Sequence, residues 1–117
     1  MPVDALSLAH TIVEVLEGKK GEEIILLDLS KICSFTDYFV ICTGVSERTI
    51  QALADEVRRK LKEEYALRPS GSEGVPANGW VLLDFGDVIL HLFSPDLRKY
   101  YRLEDLWREG QVLVHMR

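Results

Sequence analysis

The run 80-WVLLDFGDVILHLF-93 consists of two β-rich segments, Trp80–Phe85 and Val88–Phe93, on either side of a glycine turn. That is the pattern of a hairpin closed by a two-residue loop. The loop pair is either Phe85-Gly86 or Gly86-Asp87; sliding it by one residue preserves cross-strand parity and leaves the two faces unchanged. Val81, Leu83, Phe85, Val88, Leu90 and Leu92 share one wholly apolar face, which belongs on a core. Trp80, Leu82, Asp84, Ile89, His91 and Phe93 share the other. Its mixture of aromatics, carboxylate and imidazole suits neither a dry core nor a plainly solvated face.

Downstream, Ser94-Pro95-Asp96 starts a helix, with serine at the cap and proline at the first helical position. Short helical turns are expected from there through Trp107. The end, Gln111–His115, alternates weakly and is either a short strand or a flexible tail.

Upstream, the Pro/Gly/Ser-rich stretch 67–79 reads as a long loop with room for one short edge strand. Before it lies the longest helix, Glu47 to Glu64, capped by Ser46 and buried along Ile50, Leu53, Ala54, Val57 and Leu61. Tyr38–Thr43 (YFVICT) is a continuous strand, as is Glu22–Leu29. The centre of the latter, Ile24-Ile25-Leu26-Leu27, is apolar on both faces, so the strand is covered on two sides. Residues 4–17 form a first helix with the stripe Ala5, Leu8, Ala9, Ile12, Val13 and Leu16, Asp4 as cap and His10 on the surface. The order α-β-β-α-loop-β-β-α implies an α/β (α+β) domain: a single mixed sheet with helices packed on it and at least one helix-linked crossover. Residues 1–117 are expected to form one domain, with about 1–107 as its compact part and 108–117 as the strand or tail.

At 117 residues and 47% apolar content the chain can bury an ordinary globular core. No apolar run nears the ~20 residues of a membrane span, and the N-terminus lacks a secretory layout, so no membrane and a cytoplasmic location are expected. Cys33 and Cys42 read as buried thiols. The net charge of −5 speaks against a protein held mainly by phosphates, so little direct RNA binding is expected. Arg58, Arg59, Lys60 and Lys62 cluster on one helix but are interleaved with Glu56, Glu63 and Glu64, as on a solvated face.

Catalytic chemistry is nearly absent. Gly44-Val45-Ser46, at a strand-to-helix turn, resembles the opening of the nucleotidyltransferase motif, but a valine is inserted and no Asp-x-Asp pair follows. A two-carboxylate metal clamp therefore lacks its ligands. Ser46, His91 and Asp84 supply the residue types of a hydrolase triad, yet G-x-S-x-G is missing. The histidines and cysteines show no metal-ligand spacing, and no phosphate loop or dinucleotide fingerprint occurs. The expectation is no enzyme, no metal and no cofactor. The mixed hairpin face and the Tyr, Trp and Arg residues that follow it are instead the residue types of interface hot spots.

The run GWVLLDFGDVILHLFSPDLRKYYRLEDLW resembles the signature of the ribosomal silencing factor, or Iojap, family. The pattern Trp-x-x-x-Asp-x-Gly-Asp-Val-x-x-His is matched at Trp80, Asp84, Gly86, Asp87, Val88 and His91. Arg-x-x-Tyr-x-Leu-Glu-x-Leu-Trp is matched at Arg98, Tyr101, Leu103, Glu104, Leu106 and Trp107. Thr36-Asp37, Cys42-Thr43-Gly44 with Ser46 and Arg48, and Glu73-Gly74 extend the likeness over nearly the whole chain; the Pro/Gly-rich segment 69–79 is longer than the pattern.

The resemblance implies a nucleotidyltransferase-like fold without catalytic activity. It also implies binding to the large ribosomal subunit through its fourteenth protein, with steric block of small-subunit joining when nutrients are short. Organellar relatives act in large-subunit assembly, and self-association as a homodimer is reported for members. Residue by residue, the expected partner-binding set is Trp80, Asp84, His91, Phe93, Arg98, Tyr101, Leu103, Glu104 and Trp107. Within it, Asp84, His91, Arg98 and Glu104 orient or buttress the contact.

Overall fold

The computed structural model describes residues 4–101 and 110–116, with Tyr101 described by its backbone alone. In chain order the elements are α1 (Ala5–Gly18), β1 (Glu22–Asp28), β2 (Tyr38–Thr43), α2 (Glu47–Tyr65), β3 (Gly71–Val75), a 3-10 turn (Pro76–Asn78), β4 (Trp80–Asp84), β5 (Val88–Phe93), α3 (Pro95–Tyr101) and β6 (Gln111–Met116). The strands form one mixed sheet in the order β3-β4-β5-β2-β1-β6. Among the described strands, β2 and β5 run parallel and every other neighbouring pair is antiparallel. This is the expected mixed-sheet α+β architecture, and α2 is its crossover, carrying the chain from the end of β2 to the edge strand β3.

The helices follow their apolar stripes and caps. Asp4 accepts a hydrogen bond from the Ser7 amide at 3.1 Å and starts α1. Ser46 Oγ accepts from the Thr49 amide at 3.1 Å and starts α2, whose buried residues are Ile50, Leu53, Ala54, Val57 and Leu61. Both helices cover one face of the sheet. The core there joins Leu8, Ile12 and Leu16 of α1 and the α2 stripe to Ile24, Leu26, Val40 and Cys42. It also takes Val81, Leu83, Phe85, Val88, Leu90 and Leu92, the whole apolar hairpin face. β1 is covered on both sides as its sequence demanded, because Ile25 and Leu27 enter a second core on the opposite face. Cys42 is buried and Cys33 half-buried.

The hairpin loop is Gly86-Asp87: the Phe85 amide donates to the Val88 carbonyl at 2.9 Å. Gly86 holds φ +87°, a conformation glycine adopts without the Cβ penalty other residues meet. Two soft regions are more ordered than a loop-and-tail reading implies. Gly71–Val75 pairs antiparallel with β4 from Gly71 opposite Asp84 to Val75 opposite Trp80, taking the edge-strand alternative, and Pro76–Asn78 forms the 3-10 turn. Gln111–Met116 takes the strand alternative and pairs with β1, with Leu113, Val114 and Met116 resting on the helix-side core.

Candidate functional site

The far face of the sheet, opposite α1 and α2, holds the candidate residues and divides along its strands. In the hairpin register Trp80 lies opposite Phe93, Leu82 opposite His91 and Asp84 opposite Ile89. β5 is flanked on its other side by β2, so Ile89, His91 and Phe93 sit in mid-sheet and are buried. With Ile25, Leu27, Leu29, Phe39 and Ile41 they line the second core. Leu97 of α3 and Cys33 of the β1–β2 connection pack against it. β4 is nearer the edge, and its Trp80, Leu82 and Asp84 stay half-buried. The mixed face expected from the hairpin is therefore two things: a buried floor on β5 and a half-exposed margin on β4.

His91 is the anomaly of the floor. It is 7% exposed and lies between aromatic rings, edge-on to Phe39 at 4.8 Å and stacked with Phe93 at 5.9 Å. Neither Nδ1 nor Nε2 has a hydrogen-bond partner among the described residues. Burial pushes its pKa from the ordinary 6.5 down to about 4, so the ring is neutral near pH 7. Asp84 is no partner for it: Oδ1 accepts from the Gly86 amide at 2.7 Å and braces the hairpin turn. Ser46 Oγ is engaged at the head of α2 with the Thr49 amide and hydroxyl. The residue types of a triad are present, but each has a local occupation of its own.

Arg98 also points inward. It is 8% exposed, and Nη1 donates to the Thr43 hydroxyl at 2.9 Å in a buried contact. Its helix is rooted at Ser94, whose Oγ accepts from the Leu97 amide at 3.3 Å and whose amide donates to the Gly79 carbonyl at 2.8 Å. His91, Phe93 and Arg98 thus lie beneath the surface rather than on it. The side chain of Tyr101, and Leu103, Glu104 and Trp107, lie outside the described residues. Two exposed aromatics escaped the sequence-based set: Tyr100, 78% exposed on α3, and Phe35, 63% exposed on the β1–β2 connection. Phe35 carries a signal, an aromatic in the polar stretch Cys33-Ser34-Phe35-Thr36-Asp37 with no strand to bury it.

The strand-to-helix turn at Gly44-Val45-Ser46 offers no phosphate cradle. Gly44 is needed for packing, since a Cβ there would stand 2.7 Å from Ile50 Cγ1. Two adjoining depressions of about 740 and 560 Å³ open beside it, sharing Ser46, Glu47, Pro76 and Ala77. Among the described residues their charged lining is Glu47, Asp55 and Asp96 against Arg48, a balance that does not favour a triphosphate. Among the described residues no group of three or more His, Cys, Asp or Glu side chains could hold a metal ion, and no helix is long and apolar enough to cross a membrane. The basic cluster of α2 is matched by acids along its own helix: Arg59 with Glu56 and Glu63, Lys60 with Glu64 at 2.9 Å, Arg58 with Asp55 at 3.7 Å.

Known proteins resemble this chain over most of its length. A family model described as "Ribosomal silencing factor during starvation" matches residues 2–116. A curated relative from Halalkalibacterium halodurans, named ribosomal silencing factor, is 39% identical over 106 residues, covering 91% of this chain and 90% of that protein. A crystal structure of a Chromobacterium violaceum protein superposes with a TM-score of 0.85 at 40% identity, covering 97% of this chain and 92% of that one. A more distant relative is the mouse protein named mitochondrial assembly of ribosomal large subunit protein 1, 31% identical over 98 residues, of which this chain covers 43%.

Proposed function

Since the chain belongs to the ribosomal silencing factor family, we propose that it represses translation by occupancy. It docks on the large ribosomal subunit through the fourteenth ribosomal protein and keeps the small subunit from joining when nutrients are short. The observation that carries this reading is the far face of the sheet. There the half-buried Trp80 and Asp84 of β4 share a face with α3, which presents Tyr100, and the described residues around them hold no catalytic cluster. Aromatics over a firm apolar floor make a docking surface rather than a reaction centre. A net charge of −5 suits a basic ribosomal protein as the partner and steers the encounter toward it.

Sedimentation of purified subunits tests the proposal. Added protein should co-migrate with the large subunit and lower the yield of joined ribosomes in proportion to its occupancy; an unchanged yield at saturating protein refutes it. The name of the mouse relative favours one second reading, a factor that acts in large-subunit assembly. Tighter binding to precursor particles than to mature large subunits would establish that alternative.

A further inference from the structure

We propose that the Thr43 hydroxyl and the Arg98 guanidinium form a positioning clamp that sets the direction of α3 and turns Tyr100 outward toward the partner. The proposal rests on the docking function above. The described part of α3 spans Pro95–Tyr101, and short helical turns take their orientation in a protein from tertiary anchors. Its root is secured by backbone bonds: the Gly44 amide to the Phe93 carbonyl at 2.9 Å, the Ser94 amide to the Gly79 carbonyl at 2.8 Å, and the Arg98 amide to the Ser94 carbonyl at 2.9 Å. These bonds fix where the helix starts and not the direction it takes. Leu97 adds an apolar contact with the second core, but such contact is non-directional. A directional attachment among the described residues is Arg98 Nη1 to Thr43 Oγ1, 2.9 Å and buried.

Thr43 is placed for that task. It ends the row Phe39, Ile41, Thr43 on the far face of β2, beside Phe93 of β5 in the parallel register. Phe39 and Ile41 serve the second core as hydrocarbon, and valine would have Thr43's shape. The hydroxyl is what threonine adds, and it receives the guanidinium. Arginine has the reach and a permanent charge, and burial removes water as a competitor for the bond. Tyr100 follows Arg98 by two residues, or roughly 200° around a helix. Drawing Arg98 inward therefore turns Tyr100 outward, in accord with its 78% exposure.

The test compares Thr43→Val, which keeps the shape and deletes the acceptor, with Thr43→Ser, which keeps the acceptor. Both are assayed for inhibition of subunit joining well below their melting temperatures, with amide hydrogen exchange measured in parallel. Thr43→Val should need roughly tenfold more protein for half-maximal inhibition, because the docking-competent direction of α3 becomes a minor population. The α3 amides should exchange faster while those of β4 and β5 keep their protection. Thr43→Ser should restore both readouts.

Arg98→Met, which keeps the aliphatic stem, supplies a second route should Thr43→Val fold poorly. The double variant should lose no more than Arg98→Met alone, because the bond that Thr43→Val deletes is already gone in that background. A wild-type protein that inhibits joining beside a Thr43→Val protein that inhibits equally, per folded molecule, overturns the clamp alone. A wild-type protein that leaves joining intact overturns the proposed function and the clamp together.

Discussion

Acidification from pH 6.5 toward 4 should destabilise this protein through His91. In the unfolded chain the imidazole takes up a proton at its ordinary 6.5, whereas burial among Phe39, Phe93 and the second core delays uptake in the native state to about 4. Between those values the unfolded state binds more protons, so stability falls as pH falls. The contribution is fully present above pH 6.5 and lost once pH drops through about 4. A difference of about 2.5 pKa units corresponds to about 3 kcal/mol, a large share of the ~5–15 kcal/mol that holds a domain together. Urea unfolding followed by circular dichroism at pH 7.5, 6.0, 5.0 and 4.5 should show this slope in the wild type. His91→Phe replaces the imidazole with a third apolar ring and should flatten the profile over the same window; His91→Leu serves the same end should the larger ring crowd the site. Each variant should match or exceed the wild type at pH 7.5, because two buried nitrogens without partners cost about 1–3 kcal/mol as a group. A variant whose pH profile runs parallel to the wild type refutes the assignment. So does an imidazole that titrates near 6.5 in the folded protein by NMR.

Three further outcomes separate surface from scaffold. Tyr100→Ala should weaken large-subunit binding by roughly 2 kcal/mol per folded molecule, as the loss of an interface hot spot does; calorimetry and co-sedimentation on the same sample separate that loss from any change in folding stability. Ser46→Ala removes the cap of α2 and should cost about 1 kcal/mol in urea unfolding, with inhibition of joining unchanged per folded molecule. Leu90→Ala opens a cavity in the helix-side core and should cost about 2–5 kcal/mol, measured by the same unfolding curves.

What the sequence made legible is what local spacing determines. The stripes of α1 and α2 and the caps at Asp4, Ser46 and Ser94 need only neighbours within one or two turns. Hairpin parity needs only the turn, so the assignment of Val81, Leu83, Phe85, Val88, Leu90 and Leu92 to the core required no knowledge of the rest of the sheet. The strand state of Gly71–Val75 was harder to read, because Gly-Ser-Glu-Gly-Val has almost no side chain to pack; it owes its form to backbone bonds with β4. The burial of His91 depends on β2 lying beside β5, a non-local pairing that neither strand announces. For the same reason the sequence places Arg98 among the residues that orient or buttress the contact without naming what it bonds: its inward course requires Thr43, 55 residues away, to be beneath it.

The distribution of polar groups between the two cores bears on where function resides. Among the described residues the helix-side cluster includes no buried imidazole or guanidinium, and a polar atom at its margin, the Tyr65 hydroxyl, is hydrogen-bonded to Thr11 at 2.7 Å. The far side is different: its floor carries an imidazole without a partner among the described residues, and its covering helix buries a guanidinium against a threonine. A hydrophobic residue at position 91 would remove a desolvation cost, so the sequence forgoes stability there. Chains that break packing rules do so chiefly where they act, which supports the far face, and not the helical layer, as the docking side. His91 and Arg98 then serve different ends beneath one surface. Arg98 fixes a direction through its bond to Thr43, whereas His91 leaves the floor weakened by acid. The pH series on His91→Phe and the inhibition series on Thr43→Val should therefore come apart: the first should change stability with pH and leave inhibition at pH 7.5 intact, the second should change inhibition and leave the pH slope intact. If either variant moved both readouts together, the far face would be one cooperative layer and the separate roles assigned to the two residues would fail.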